Sequence, residues 1–343
     1  MLEDPALETL FMPFAAGLLD WPARRTLFLR ARSGPALTRL PPTDLVCVQT
    51  FRPDAAGLEA AAFAIEAATP DELFPLVLAL PPRQRDEARA LLAQAVAQAA
   101  PGGTVVVAQL NEEGARGVED DLARLAGPVE SLSKRKCRVF WTRPTAVDAG
   151  LLAEWAAFDR PRPIAEGRFL SRPGLFAWDR IDAGSALLAA HLPQDLAGRG
   201  ADLGAGFGYL AAEVLARCPG VTALDLYEAE SRALDLARRN LEAPSRAAPG
   251  VALDFLWHDV TAGLPRRYDF IVTNPPFHQG RAERVDVGRG FVTAAAAALV
   301  PGGRLWLVAN AHLPYEAELK ARFSGFRFVA ETGGYKIVEA VKG

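Results

Sequence analysis

Cysteine and histidine are scarce in this chain of 343 residues. There are three cysteines (Cys47, Cys137, Cys218) and four histidines (His191, His258, His278, His312), all far apart. Such spacing supports neither a disulfide framework nor a zinc site, and no metal is expected. Long apolar runs are missing too: no uncharged stretch reaches the roughly 18 residues that a membrane-spanning helix needs. The opening MLEDPALETL is acidic and lacks the basic start and apolar core of a signal peptide. A soluble cytoplasmic protein with no membrane partner, and a monomer, is the expectation. An excess of positive charge is also absent. Lys and Arg total 38 against 41 Asp and Glu, for a net charge of −3, which weighs mildly against a nucleic-acid binder. Basic residues do gather locally, at Arg160, Arg162, Arg168 and Arg172 and again at Lys134, Arg135, Lys136 and Arg138. Such runs suit a solvated surface as well as an anion-facing one.

Strand-like and helical segments alternate through the second half, as crossover helices on a parallel sheet require. A strand ends at Asp202 to Gly204, followed by helix 208–217, strand 221–227 and helix 230–242. Strands 252–256 and 268–273, helix 288–299, strand 304–309 and a late pair near 326–330 and 335–341 complete it. The fold class is α/β, a doubly wound Rossmann-like sheet.

The first half repeats these landmarks in order. PGGTVVVAQL (101–110) matches PGGRLWLVAN (301–310), and LVLALPPRQ (76–84) matches FIVTNPPFH (270–278). DLVCVQT (44–50) precedes a helix expected over 55–67, as VTALDLY precedes 230–242. Three matched landmarks point to an internal duplication. The polar groups differ: GAGFG (204–208) faces a stretch with one glycine, and Asn274 faces Leu80. The first half, 1–160, therefore reads as a degenerate copy that positions a substrate, and 161–343 as the active one. The Pro/Arg-rich stretch 158–174 between them has the composition of a linker or loop.

DLGAGFG sets Gly204, Gly206 and Gly208 between a strand and a helix, just after Asp202. Glycine lets backbone approach a ligand closely, and a helix N-terminus favours polar or anionic groups. Tyr209 stands where a dinucleotide fingerprint would need its third glycine, so a dehydrogenase is disfavoured. One strand later an acid can accept from two ribose hydroxyls; Glu228 is the candidate and Asp225 the reserve. One strand further, Asp259 could reach an adenine amino group. Each acid alone is equally a surface charge or a helix cap. Together with the glycines they mark a ligand crevice at the carboxyl edge of a sheet.

The fourth strand ends at the same edge in Asn274-Pro275-Pro276-Phe277. The prolines fix φ and push Asn274 away from helix, so its amide oxygen and nearby carbonyls can point outward as acceptors. Acceptors converging on one point suit a planar –NH₂ group, and Phe277 offers a face for a base. Methyl transfer to an exocyclic amine needs this arrangement, because accepting from both N–H groups localises the nitrogen lone pair. Alignment and electrostatics then suffice without a strong general base. A plain Pro-Pro turn, as in Leu80-Pro81-Pro82, is the bland alternative.

These residues resemble a class I S-adenosylmethionine-dependent methyltransferase. More narrowly, they resemble the bacterial ribosomal RNA guanine-N2 methyltransferases of the small-domain superfamily, acting on 16S rRNA or its 23S counterpart. PGLFAWDRIDAGSALL, DLGAGFG, TNPPFHQG, VANAHLPY and ETGGYKIVEA, within 168–343, carry the likeness. It implies S-adenosylmethionine as cofactor, two tandem methyltransferase-like domains with the first degenerate, and ribosomal RNA or a ribosomal subunit, 30S foremost, as partner. It assigns the cofactor to Asp202, Gly204, Gly206 and Gly208, with Asp182, Gly184 and Ser185 closing over it. Glu228 stands where the family usually has Asp. Asn274, Pro275 and Phe277 would hold the guanine, and Pro276, His278 and Lys336 would meet substrate; His278 is as readily structural, and Lys336 a solvated charge. Adenine-N6 or protein glutamine-N5 methylation, or a non-catalytic ribosome-assembly role, are the competing readings.

Overall fold

The computed structural model describes residues 4–22, 25–37, 45–66, 70–276, 281–312 and 315–343. It divides into two compact units, one of Met1–Arg160 with Arg172–Gly174, the other of Pro161–Ser171 with Leu175–Gly343.

In the first unit the apolar runs form β1 (Thr26–Leu29), β2 (Leu45–Val48), β3 (Ile65–Glu66), β4 (Phe74–Ala79), β5 (Ala99–Leu110), β6 (Glu130–Lys134) and β7 (Cys137–Thr142). A short ribbon, β8 (Arg162–Ile164) with β9 (Phe169–Ser171), opens the second unit. Its sheet consists of β10 (Ala197–Leu203), β11 (Gly220–Glu228), β12 (Ala252–Trp257), β13 (Tyr268–Thr273), β14 (Leu299–Asn310), β15 (Gly325–Thr332) and β16 (Tyr335–Val341). Runs such as LVCV in β2 and VVVA within β5 are continuously apolar, as strands covered on both faces must be.

Both sheets have the same order. The first runs β3-β2-β1-β4-β5-β7-β6 and the second β12-β11-β10-β13-β14-β16-β15. In each, the next-to-last strand of the order, β7 or β16, pairs antiparallel with both its neighbours, and every other pair is parallel. Identical order strand for strand matches the duplicated landmarks. In the second sheet the chain steps outward from β10 to β12, then crosses back to β13. The crevice at the carboxyl ends of β10 and β13 is thus the topological switch point, where such sheets bind ligands.

Alternating residues of the central strands feed two core layers. Phe270 and Val272 pack with Leu188, Val214 and Leu234 on one face, while Ile271 packs with Val292, Ala295 and Tyr315 on the other. Each such side chain, fully buried, is worth about 1.5–3 kcal/mol.

Two expectations fail. The helix expected over 55–67 spans Arg52–Ala60. Pro53 suits its first turn, and Ala62 takes a left-handed φ of 66° that ends it. Ile65–Glu66 then pairs with β2 as a short edge strand. The stretch 158–174 is also more than a linker, because Ile164 and Phe169 of the ribbon are buried in the second core. Three of its four arginines are engaged: Arg168 with Glu213 at 2.9 Å, Arg172 with Asp159, and Arg162 over the Trp178 ring.

Candidate active site

Gly204, Gly206 and Gly208 have φ of 71°, 54° and 90°, a left-handed series that L side chains resist. The turn is held by the Tyr227 carbonyl, which accepts from Gly204 N–H at 2.8 Å and Ala205 N–H at 3.0 Å. Gly208 abuts Ala237, so a β-carbon there would lie 3.2 Å from the Ala237 Cβ. Gly206 differs: a β-carbon would meet nothing within 4 Å, so its surface faces open space.

Glu228 ends β11 beside this loop. Its Oε2 accepts from Gly206 N–H at 2.8 Å and its Oε1 from Glu230 N–H at 2.9 Å. A carboxylate has about four acceptor positions, so two remain for a ligand's hydroxyls. Burial pushes the Glu228 carboxyl up from its ordinary value, against those two hydrogen bonds. Asp225, the reserve, is excluded from this role: it accepts from Arg199, Arg266 and Tyr268 at 3.0, 2.9 and 2.8 Å, toward the amino half of the sheet. Asp202, fully buried, accepts from Ala211 N–H at 3.1 Å through Oδ2, while Oδ1 has no partner. Burial pushes its carboxyl up to about 7, and the nearby Glu228 charge adds to the shift.

Asn274 follows β13 at the switch point. Its Nδ2 donates to Asp182 Oδ2 at 3.0 Å and Ser185 Oγ at 2.8 Å. A carboxylate only accepts, so the amide's –NH₂ must face Asp182, and Oδ1 must face the other way. That Oδ1 is buried without a partner. Leaving a buried acceptor unmet costs about 1–3 kcal/mol, which a ligand N–H would recover. Pro275 is buried and Pro276 exposed, while Phe277 and His278 lie outside the described residues.

Asp182 and Ser185 therefore meet Asn274, a pairing that sequence reasoning missed. Asp182 also caps helix Ala183–His191, accepting from Ser185 N–H at 2.9 Å. The D-x-x-S spacing shows the cap but not a partner 92 residues away. Gly184, expected to close over a cofactor, packs under Tyr335, whose ring would lie 2.9 Å from an added β-carbon. Asp259 ends β12 as a cap, its Oδ1 accepting from Thr261 N–H at 2.9 Å and Thr261 Oγ1 at 2.7 Å. Lys336 is a clear correction. It is 4% exposed, its Nζ lies 2.6 Å from Glu316 Oε1 and over the Phe328 ring, so it is not poised for a phosphate.

The first unit shows what the same frame looks like without a crevice. Leu29 pairs with Val48 and Ala79, as Leu203 pairs with Tyr227 and Thr273, so Arg30, Gln49 and Leu80 occupy the places of Gly204, Glu228 and Asn274. Gln49 turns inward: Nε2 donates to the Ala31 carbonyl at 2.7 Å, and Oε1 accepts from Thr50 and Phe51 N–H at 2.8 Å each. Arg30 pairs with Glu87 at 3.3 Å, and Leu80 is buried. At the three matched positions the polar groups are thus turned inward or replaced by an apolar side chain.

Residues 166–339 match the methyltransferase small domain family. The chain is 31% identical over 275 residues to the ribosomal RNA small subunit methyltransferase C of Shewanella halifaxensis, covering 79% of each. With its counterpart from Chromohalobacter salexigens it shares 35% identity over 254 residues, 72% of this chain and 73% of the other. In fold it is similar to the T. thermophilus 16S rRNA N2 G1207 methyltransferase (RsmC) in complex with AdoMet and guanosine. The TM-score is 0.78 at 24% identity, covering 100% of this chain and 93% of that one.

Proposed function

This chain belongs to the methyltransferase small domain family, among the ribosomal RNA small subunit methyltransferase C proteins, and from that premise we propose that it methylates the exocyclic N2 amino group of a guanine in 16S ribosomal RNA. The observation that carries this reading is the unmet Oδ1 of Asn274, an acceptor whose orientation is fixed by Asp182 and Ser185.

The residues around the glycine loop fit S-adenosylmethionine: an open face at Gly206, and free acceptor positions on Glu228 for the two ribose hydroxyls. Asp259, at the next strand end, takes the adenine amino group in this reading, supported by the oxygen its cap leaves over. When bound, that cofactor supplies a methyl group on a sulfonium, which is already electrophilic. The chain's own task is to hold the guanine and enrich its amino nitrogen. Asn274 Oδ1, with the backbone carbonyls of Asn274 and Pro275, accepts from the N2 hydrogens and draws the lone pair out of conjugation. Phe277 supplies a ring for the base to stack on, and His278 steadies the loop or touches RNA. The target must be unpaired or flipped out to reach such a crevice.

Unit 1–160 takes no part in the chemistry and positions the RNA or the 30S particle. Incubating the protein with labelled S-adenosylmethionine and unmethylated 16S rRNA or 30S subunits, then digesting to nucleosides, tests the reading. Label in N2-methylguanosine is expected. Label in adenosine, or in no RNA, would sink it.

A further inference from the structure

We infer that Lys134, Arg135 and Lys136, the tip of the β6–β7 hairpin, form a contact surface for the phosphates of the RNA substrate; this rests on the rRNA reading above. Lys134 pairs with Cys137, so Arg135 and Lys136 make a two-residue loop. Their φ values are 53° and 57°. Positive φ at both positions is the hairpin turn that matches strand twist, and it favours Asn-Gly or Gly-Gly. The duplicate hairpin obeys: Thr332 pairs with Tyr335, and the loop is Gly333-Gly334 with φ of 60° and 81°. In the first copy two long cationic residues sit in a conformation that costs each roughly 1–2 kcal/mol. Strain of this kind persists where it serves a purpose.

The side chains are available. All three residues are exposed, and among the described residues none has an ion-pair or side-chain hydrogen-bond partner. Arg138, next along, is half-buried and bound to Glu119 at 2.6 Å. The adjoining turn carries Glu112 and Glu113, and touches the tip through Asn111 N–H, which donates to the Lys136 carbonyl at 2.9 Å. Neither carboxylate is bonded to the tip. Because β7 runs antiparallel to β5, with Cys137 opposite Leu110, the tip stands at the carboxyl edge of its sheet. On a chain of net charge −3, three neighbouring unpaired cations there favour a polyanion with closely spaced charges.

The test is the full-length double variant R135G/K136G, which keeps the preferred turn and removes two charges. Binding to a 16S rRNA fragment, followed by fluorescence anisotropy from low to moderate salt, should weaken about fivefold or more. The slope of log Kd against log salt should fall by about two. The KM for RNA should rise while kcat at saturating RNA, S-adenosylmethionine affinity and thermal stability hold or improve. An unchanged affinity and slope overturns the inference. So does an equal loss in Lys320→Ala, an exposed cation elsewhere, or a loss confined to anionic phospholipid vesicles. Methyl incorporation is read separately: a tip-dependent slope without methylated guanine sinks the proposed reaction and leaves the hairpin standing.

Discussion

Asn274 is held across 92 residues of sequence by Asp182, whose Oδ2 takes both the Asn274 amide at 3.0 Å and the Ser185 N–H at 2.9 Å. One carboxylate oxygen thus caps a helix and fixes the direction of an amide. If the carbonyl side of Asn274 is what meets the guanine, Asp182 acts as a positioning residue.

Asn274→Ala should lower kcat by about 10²-fold or more, in line with removing one preorganised hydrogen-bonding group. Asp182→Ala should lower kcat as well, with a loss of about 1 kcal/mol from the missing cap. Asp182→Asn, which keeps an acceptor oxygen, should restore most of both. Steady-state kinetics with thermal denaturation distinguishes these; equal kcat in Asp182→Ala and the wild type would dismiss the clamp.

The second and third glycines should fail differently. Gly206→Ala places a methyl group in open space beside Glu228, so S-adenosylmethionine affinity should drop about tenfold or more with a modest loss of stability. Gly208→Ala forces a β-carbon against Ala237, so its melting temperature should fall further and its affinity change less. Titration calorimetry beside thermal melts reads both. Wild-type affinity in Gly206→Ala would move the cofactor elsewhere.

Asp202 sets a pH dependence. Burial raises its carboxyl from 3.8 to about 7, so the folded chain holds a proton that the unfolded chain releases. The stability this contributes is fully present below about pH 4 and is lost as pH rises through about 7. Glu228, also raised, acts in the same sense. The ligand-free melting temperature should decline from about pH 5 to about pH 8, and Asp202→Asn should flatten that decline. Parallel curves for the two proteins would show that Asp202 is not its source.

Lys336→Ala should cost about 1–2 kcal/mol, since Glu316, its partner, is itself partly exposed, and should leave the KM for RNA within about twofold. A tenfold rise in KM at unchanged stability would return Lys336 to the RNA-facing surface.

The sheet was legible because parallel strands covered on both faces must read as apolar runs. Glycine and proline then punctuated their ends, as at Gly204 and Pro275. The strand-end motifs were legible for the same reason: β10 and β13 are neighbours only if the order reverses, and that reversal follows from the fold class. What stayed hidden depended on long-range pairing. Lys336 looks solvated until β16 is seen between β14 and β15 with Glu316 against it. The early end of helix Arg52–Ala60 depended on β2 having an edge free to recruit Ile65–Glu66. At Gly184 a side chain is excluded by the ring of Tyr335, 151 residues further along the chain, which no local pattern shows.

Gln49, Arg30 and Leu80 are each held by contacts of the first unit's own, so a change at any one of them is costly. Gln49→Glu alone would set a carboxylate against the Ala31 carbonyl, which needs a donor. Leu80→Asn alone would bury an amide within the apolar cluster that Leu80 now fills. Arg30→Gly alone would strip Glu87, almost wholly buried, of the guanidinium beside it. Each single step toward the second unit's pattern at these three positions therefore runs uphill, and the first unit's own contacts keep this edge as it is.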